Sequence, residues 1–179
     1  GSRGNQWMKT PGNADWVYSQ FDGGNNIIVM GNGNNDIIDV GAGYGNDTLS
    51  TGKGANDSIN VGVHTNADTF GFALGTDGAH FTTVIGAQNG DKVVNSDISM
   101  QTRPLNNTLV QSATSSTTLA DFIQSLPLQA GETYVGYNGA DTFVVSFYTG
   151  QIGAIDIVGS FNNNSLSNNV LTLGGSSPA

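Results

Sequence analysis

The chain has 179 residues, of which 26 are glycine and 11% are charged, and its net charge is −9 with five basic residues. This composition indicates one domain or two small ones of the turn-rich, all-β class. The negative charge argues against nucleic acid and anionic membranes as partners, and the absence of cysteine excludes disulfides as a source of stability.

Residues 1–20 carry both tryptophans, Trp7 and Trp16, together with Tyr18. A repeat follows them, and a solenoid built from it would need its exposed end covered. We therefore predict that residues 1–20 form a cap whose aromatic rings lie over the first coil; a platform for binding sugar is the alternative. Gly1-Ser2 is typical of a residue pair left by cloning, so we expect the chain to be part of a longer protein.

Between Phe21 and Phe72 the chain repeats a polar motif followed by alternating apolar residues. The units read FDGGNNIIVM, GNGNNDIIDV, GAGYGNDTLST, GKGANDSINV and GVHTNADTFGF. Apolar residues two apart predict a strand with one buried face, and the Gly/Asn-rich start of each unit predicts a tight turn. The polar residue at the end of each turn, at positions 26, 36, 47, 57 and 68, recurs after 10, 11, 10 and 11 residues. Two units therefore form a coil of about 21 residues in a short parallel β-roll or β-solenoid, with successive strands on opposite sheets.

An acidic or amide residue recurs in the turn of every unit, at Asn26, Asp36, Asp47, Asp57 and Asp68. We expect Asp36 and Asp57 to stack on one side of the roll and Asp47 and Asp68 on the other. Stacked carboxylates repel each other, and calcium bound by carboxylates and main-chain carbonyls removes that repulsion. The alternative is turn chemistry alone, in which Asp and Asn bond their own backbone. The predicted calcium ligands are Asp36, Asp47, Asp57, Asp68, Gly31, Gly33, Asn34, Gly43, Gly45, Gly52 and Gly54, for about one to three sites.

Three units resemble the G-G-x-G-x-D-x-U-x repeat of the RTX family: GNGNNDIID from Gly31, AGYGNDTLS from Ala42 and GKGANDSIN from Gly52. The resemblance implies a calcium-binding parallel β-roll of the kind found in toxins, proteases, lipases and surface proteins that bacteria export by type I secretion. His64 stands in the last unit, where glycine is expected, and we interpret it as a turn residue and not as a metal ligand.

The roll is predicted to close at residue 99. FTTVIGAQNGDKVVNSDIS (81–99) has the pattern of an antiparallel hairpin that turns at Asn89-Gly90-Asp91. The predicted β-roll with its closing hairpin thus covers residues 21–99. Residues 100–116 are polar and unpatterned, and we predict a linker there.

Residues 117–179 are predicted to form a small β-rich domain with one helix. TTLADFIQSL (117–126) has apolar residues at helical spacing, and Thr118 with Asp121 has the spacing of a capping box. The segments ETYVGY, DTFVVSFY, GAIDIVGSF and NVLTL predict strands. Asn138-Gly139 predicts a hairpin turn. A calcium turn at the same place is disfavoured, because this loop stands alone and a calcium site in a roll needs a second turn stacked on the first.

This C-terminal half resembles the terminal domain of RTX-type surface-layer and adhesin-like bacterial proteins. The likeness rests on the helix, on Gly139 to Val145 and on Asp156 to Ser160. It implies a type I secretion signal near the end of the chain.

No arrangement of residues in the sequence indicates catalysis. With two histidines, one glutamate and no cysteine, the chain has neither a G-x-S-x-G elbow nor an H-E-x-x-H motif. We expect a non-catalytic, calcium-stabilised C-terminal domain of a secreted cell-surface protein, folding on export when calcium binds.

Two other functions remain open. One is a polysaccharide-binding or ice-binding adhesin module, which would use a flat roll face carrying Ile27, Ile37, Thr48, Ser58 and Thr69. The other is the calcium-binding tail of an extracellular hydrolase. Self-association and a cell-surface polysaccharide are the partner hypotheses, besides calcium.

Overall fold

The computed structural model describes residue 5 and residues 7–19, 23–96, 102–103, 108–148 and 150–175. The described chain is mostly β-structure with one short helix, and its strands form a two-sided solenoid of about five coils. The predicted fold class is therefore confirmed. Two eight-stranded sheets, called sheet A and sheet B, face each other across the main apolar core.

Nine short strands wind the solenoid, alternating between the two sheets. They are β1 Trp7–Thr10, β2 Trp16–Ser19, β3 Ile27–Met30, β4 Ile37–Val40, β5 Thr48–Ser50, β6 Asp57–Val61, β7 Thr69–Phe72, β8 Thr82–Ile85 and β9 Lys92–Ser96. The odd-numbered strands lie side by side and parallel in sheet A, and the even-numbered strands do the same in sheet B.

The predicted coil length is observed in the strand register. Thr48 pairs with Thr69 in sheet A and Ile37 with Ser58 in sheet B, each 21 residues later in the chain. The inward-facing residue of each repeat unit is at most 1% exposed: Ile28, Ile38, Leu49, Ile59 and Phe70. Burying one such side chain contributes about 2 kcal/mol to the folding free energy. Burial of this apolar row is therefore the main contribution that stabilises the stacking of the coils.

The hairpin predicted for residues 81–99 is wrong, because this segment winds one more coil. β8 pairs parallel with β6 in sheet B, and β9 pairs parallel with β7 in sheet A. Val84 and Val93 thereby extend the buried row, both at 0% exposure, whereas a hairpin would leave the ladder edges of β6 and β7 unpaired. Residues 97–99 lie outside the described residues.

The first coil differs from the predicted aromatic cap. β1 and β2 pair parallel with β3 and β4 as one more coil, and they place Met8 and Val17 against the core. Trp7 and Trp16 are each 68% exposed and Tyr18 is 59% exposed. Because side chains alternate between the faces of a strand, the inward position of Val17 directs its two aromatic neighbours outward. Residues 1–4, 6 and 20 of the predicted cap lie outside the described residues.

The polar row proposed as one flat binding face is divided between two faces. Ile27, Thr48 and Thr69 are in register on sheet A, whereas Ile37 and Ser58 are in register on sheet B. The two sheets turn their outer faces away from each other, so no ligand surface contains all five residues.

The C-terminal half continues both sheets. Its strands are β10 Thr102–Arg103, β11 Thr108–Ala113, β12 Glu132–Tyr137, β13 Asp141–Tyr148, β14 Gln151–Val158, β15 Ser165–Ser167 and β16 Val170–Thr172. β14 pairs parallel with β8 in sheet B, and β16 pairs antiparallel with β9 in sheet A. The predicted strands of this half are observed, and Asn138-Gly139 joins β12 to β13 as the predicted hairpin.

The predicted linker, residues 100–116, contains regular structure. Residues 108–113 form β11, which pairs parallel with β12, and residues 102–103 form β10, which pairs with β9. The sequence pattern of β11 does not identify it as a strand. Its partner β12 lies 24 residues later in register, with Thr108 opposite Glu132, so the pairing is not a local signal. Residues 100–101 and 104–107 lie outside the described residues.

The helix α1, Leu119–Ser125, is confirmed together with its cap. The Thr118 hydroxyl accepts a hydrogen bond from the Asp121 N–H at 3.1 Å. Leu119 and Phe122 pack on the outer face of sheet B against Tyr134 and Phe143, as the apolar stripe predicts. No helix in the described part of the chain has the length and apolar character needed to cross a membrane.

Candidate metal centre

The polar residues of the repeat form two columns at the starts of the strands. The B column precedes or begins strands of sheet B and consists of Asp15, Asp36 and Asp57. The A column precedes strands of sheet A and consists of Asn26, Asp47, Asp68 and Asp91. The expected pairs, Asp36 with Asp57 and Asp47 with Asp68, are therefore found in successive coils.

Each column carboxylate after Asp15 is tied to the coil before it through one oxygen. The Asp57 Oδ1 accepts the N–H of Asp36 at 2.9 Å, and the Asp68 Oδ1 accepts the N–H of Asp47 at 2.9 Å. This bond recurs along both columns. At Asp15 and Asp91 the second oxygen also accepts an N–H within its own turn, from Gly12 and Gln88. The bond between coils accounts for a carboxylate at each position but leaves the second oxygens of Asp36 and Asp57 unexplained.

The second oxygens of Asp36 and Asp57 are buried without a hydrogen bond of normal geometry, although the Thr51 hydroxyl and the Asn35 N–H lie close enough to the Asp57 carboxyl to lower its pKa. The two residues are 0% and 2% exposed, and a buried charge without compensation is costly. Burial raises the pKa of Asp57 to about 7, although the N–H bond from Asp36 lowers it. Burial likewise raises the pKa of Asp36, and it raises that of Asp68 to about 6.

The glycines of the turns let main-chain oxygens reach the same places. A Cβ on Gly54 would lie 1.6 Å from the Gly33 carbonyl oxygen and 2.6 Å from the Asp57 Oδ2. A Cβ on Gly45 would meet the Gly24 oxygen at 1.9 Å, and one on Gly52 would meet the Gly31 oxygen at 2.0 Å. The missing Cβ atoms thus let carbonyl oxygens of one coil approach the main chain of the next, and at Gly54 a carbonyl and a carboxylate oxygen come from two coils.

The remaining predicted ligands contribute differently. The Asn34 Oδ1 accepts the N–H of Ala55 at 2.9 Å, which connects two coils. Gly43 forms an isolated bridge with His64. Gly31, Gly33 and Gly52 lie in the stacked turns described above, where their main chain approaches the next coil.

His64 is not an ordinary turn residue, which corrects the sequence interpretation. It is 6% exposed, and its Nε2 lies 3.0 Å from the Asp91 Oδ1 and 3.8 Å from the Asp68 Oδ2. The hydrogen bond to Asp91 raises the pKa of His64 to about 9, against the effect of burial. The imidazolium is therefore a built-in cation at the last carboxylates of the A column.

Two column members escaped the sequence reasoning. Asp15 precedes Asp36 by 21 residues and donates its N–H to that carboxylate at 3.0 Å. GNAD at residues 12–15 matches GNND at 33–36, so extending the repeat one period back would have found it. Asp91 follows Asp68 by 23 residues, and the longer spacing together with a hairpin-like NGD sequence concealed it.

The donor set fits calcium better than a transition metal. Among the described residues, no three or more acidic, histidine or cysteine side chains form a metal-binding group. A cation in these turns would be held by one or two carboxylates and completed by main-chain carbonyls, an all-oxygen set of the kind calcium uses. The second oxygens of Asp36 and Asp57, with main-chain carbonyls of the neighbouring turns, are the candidates for such a set.

The fold and the site define a two-sided β-solenoid with buried carboxylate columns. No family model matches the chain, and neither the curated proteins nor the solved structures compared with it give a match. The functional argument therefore rests on the residues and their geometry.

Proposed function

We propose that this chain is a non-catalytic domain that calcium stabilises, belonging to a secreted bacterial cell-surface protein. The observation that supports it best is the pair of buried, unpartnered oxygens on Asp36 and Asp57. A cation removes the unfavourable free energy of both groups at once, since it pairs their charge and replaces the missing hydrogen bonds.

The ligands in this proposal come from two successive coils. The side chains of Asp36 and Asp57 serve the B column, and those of Asp47 and Asp68 serve the A column. Main-chain carbonyls of the stacked glycines, among them Gly33, supply further oxygens. Calcium accepts such an irregular shell of six to eight oxygens.

Calcium binding then becomes part of the folding free energy. At the low calcium concentration of the cytosol the buried carboxylates oppose stacking of the coils, and the chain stays unfolded or weakly folded. At an external concentration of about 100 times the dissociation constant, one site adds about 2.7 kcal/mol of stability. The same switch suits a protein that must be exported before it folds.

The first test is a calorimetric melt in calcium and in EGTA. We expect the melting temperature to rise in calcium by about 5 °C or more, since 1 kcal/mol corresponds to about 3 °C for a chain of this size. The increase should be larger at pH 8 than at pH 6, because protons compete with calcium for a carboxyl whose pKa burial raises to about 7. Equal melting temperatures in calcium and EGTA would refute the proposal.

Two variants locate the site. Asp57→Asn should lose most of the calcium-dependent increase, because the amide cannot pair the cation's charge. Asp77→Asn is the matched control: Asp77 is an exposed aspartate on a loop, with its side chain 54% exposed beside His80, and its variant should keep the full increase.

The secreted, surface-exposed setting is supported by the RTX resemblance and by the absence of cysteine. It predicts that residues 117–179 direct a reporter protein through a type I secretion system. Retention of the reporter inside the cell, with the transporter present and a known secretion signal working in parallel, counts against this setting.

A second candidate function is binding of a neutral polysaccharide. Trp16 and Tyr18 stand exposed on the outer face of sheet B, where Tyr18 is in register with Asp39 and Asp39 with Asn60. Aromatic faces stack on the apolar side of a sugar ring while carboxylate and amide groups bond its hydroxyls. A glycan array read with the wild type and Trp16→Ala tests it; equal signals from both proteins contradict it.

A further inference from the structure

The solenoid ends in unpaired strand edges on both sides. β1 and β2 form one end, called the front end, and β15 and β11 form the other, called the rear end. Within the described residues, none of these four strands pairs with a further strand on its outer side. Strands at the edge of a sheet favour pairing with a strand of another chain.

The strand directions at the two ends match. In sheet A, β15 and β9 both pair antiparallel with β16, so β15 runs in the same direction as β9 and β1. In sheet B, β13 pairs antiparallel with β12 and β14, and β11 and β8 pair parallel with those two strands. β11 therefore runs in the same direction as β2. A second copy placed behind the first can meet both edges with parallel strands.

The apolar core is also incomplete at both ends. Met8 at the front end, and Leu109 and Leu166 at the rear end, pack against the main cluster but stay only partly buried. They lie on the inner sides of the sheets, in line with fully buried residues such as Ile28. Joining a rear end to a front end would continue this row and bury all three, as each coil of a solenoid does for the next.

One acceptor of the B column is left over at the front end. The Oδ1 atoms of Asp36 and Asp57 each accept an N–H from the coil before. Asp15 is in the same position of its coil, and its Oδ2 accepts the N–H of Gly12 at 2.8 Å. Its Oδ1 has no such bond within the described residues, so the front end offers an acceptor as well as strand edges.

The rear end is held at a fixed width. The Gln111 side chain on β11 donates to the Asn162 carbonyl at 3.0 Å and accepts the Asn164 Nδ2 group at 2.8 Å. These bonds join the sheet B edge to the segment that leads into β15. Both rear strands are thereby positioned to pair at once, which lowers the entropy lost on association.

We propose that copies of this chain associate head to tail, with β11 of one copy pairing with β2 of the next and β15 pairing with β1. The partner is a second copy of this chain, because a rear end offers two strand edges and an incomplete core that match the two strand edges and the incomplete core of a front end. Such a heterologous contact does not close on itself, so the assembly grows as an open series along the solenoid axis.

The alternation of main-chain groups along a strand shows which residues to change. Thr108 and Thr114 donate their N–H groups toward β12 and its flanks, so the N–H of Ala113 points to the rear edge. In sheet A the Thr48 N–H bonds the Asn26 carbonyl, and by the same register the N–H of Trp7 points to the front edge. Proline removes an edge N–H, and it is tolerated at edge strands and at the first residue of a strand.

Sedimentation of the 179-residue protein, from about 1 µM to about 1 mM in calcium, provides the measurement. The wild type should show a mean mass that rises past the dimer. Trp7→Pro and Ala113→Pro should each lower the association constant at least about tenfold. An equimolar mixture of the two variants should form dimers and stop there, because one intact front end and one intact rear end remain.

Matched controls separate edge pairing from other contacts. Trp7→Ala and Ala113→Ser keep the N–H groups and should associate like the wild type. If Trp7→Ala is as monomeric as Trp7→Pro, the indole makes the contact and edge pairing is refuted. If circular dichroism shows a proline variant to be unfolded, Trp16→Pro replaces it at the front end and Val110→Lys at the rear end.

The alternatives give different results. A wild type that stays monomeric over the whole range overturns the proposal. A head-to-head contact of two front ends would let Ala113→Pro dimerise on its own, which also overturns it. These outcomes are independent of calcium binding. If calcium did not stabilise the protein but copies still grew head to tail, the proposed function would be refuted and this inference would stand.

Discussion

Asp57 has two carboxylate oxygens with different surroundings. Its Oδ1 accepts the Asp36 N–H, whereas its Oδ2 is buried without a partner. The first oxygen holds two coils in register, whereas burial of the second oxygen is energetically unfavourable in the absence of a cation. Formation of the correct register at Asp57 should therefore depend on whether a cation is present.

His64 shows the same problem solved within the chain. At the end of the A column the imidazolium pairs with Asp91 and lies near Asp68. This carboxylate pair therefore has a counter-ion of its own, which the B column lacks among the described residues. We expect calcium to act mainly on the B column for this reason.

His64→Gln should destabilise the protein by about 3 kcal/mol at pH 6, the typical result of removing one partner of a buried ion pair. The folded-state pKa of His64 is raised to about 9 from 6.5, so its contribution is complete below pH 6.5 and is lost as the pH rises through 9. The difference in unfolding free energy between wild type and variant, measured in urea, should shrink between pH 6 and pH 9.5.

His80→Gln is the control for this experiment. His80 also lies 3.0 Å from an aspartate, Asp77, but both side chains are 54% exposed, and exposed pairs contribute little. Its variant should match the wild type at every pH. A His64→Gln effect that stays constant with pH would contradict the ion-pair account.

The turns set the spacing of the coils through their main chain. The Gly33 carbonyl lies where a Cβ on Gly54 would be, and the same close approach recurs at three other glycine pairs: Gly12 and Gly33, Gly24 and Gly45, and Gly31 and Gly52. Glycine is required there for room, since any side chain would push two coils apart.

Gly54→Ala should destabilise the protein by about 3 kcal/mol or more, because backbone lies 1.6 Å from the new methyl group and cannot move without opening the ladder. Gly150→Ala is the comparison: nothing lies within 4 Å of its Cβ, and only its φ of 76° is unfavourable, so about 1 kcal/mol is expected. Chemical denaturation of both variants measures the difference in unfolding free energy. Equal losses of stability would show that the backbone conformation of glycine, and not the lack of space for a methyl group, determines the cost.

Elements whose signals lie within a few consecutive residues could be predicted from the sequence. The spacing of Asp and apolar residues predicted the coils, and the capping box predicted α1. The strands β8 and β9 were predicted, but their pairing with each other was wrong because Asn89-Gly90 is also a hairpin signal, and only pairing with β6 and β7 decides between the two structures. The ion pair of His64 was unpredictable for a similar reason, since Asp91 lies 27 residues away.

The molecule as a whole joins its two predicted halves through shared sheets. β14 extends sheet B beyond β8, and β16 extends sheet A beyond β9. The buried row of the solenoid continues into Ile155 and Leu171 without interruption. Sequence reasoning placed a boundary at residues 100–116 because it had no information about which strands pair across that distance.

Hydrogen exchange should show protection that increases from the front end toward the centre of the molecule. β2 has one strand neighbour and β8 has two, and Met8, the core residue of β1, is only partly buried. In protein dilute enough to be monomeric, we expect amides of β2 to exchange at least about tenfold faster than those of β8, because local opening is easiest where fewest contacts break. Mass spectrometry of peptides from the exchanged protein measures this, and equal protection of both strands would contradict it.

The direction of the carboxylate bonds gives the solenoid an order of assembly. Every column aspartate after Asp15 accepts an N–H from the coil that precedes it in the chain, so a coil is completed only by the one synthesised after it. Asp91 differs in having two further partners that no later coil supplies, the His64 ring and the Gln88 N–H. We therefore expect the winding to start near Asp91 and to proceed toward the N-terminus, opposite to the direction of translation.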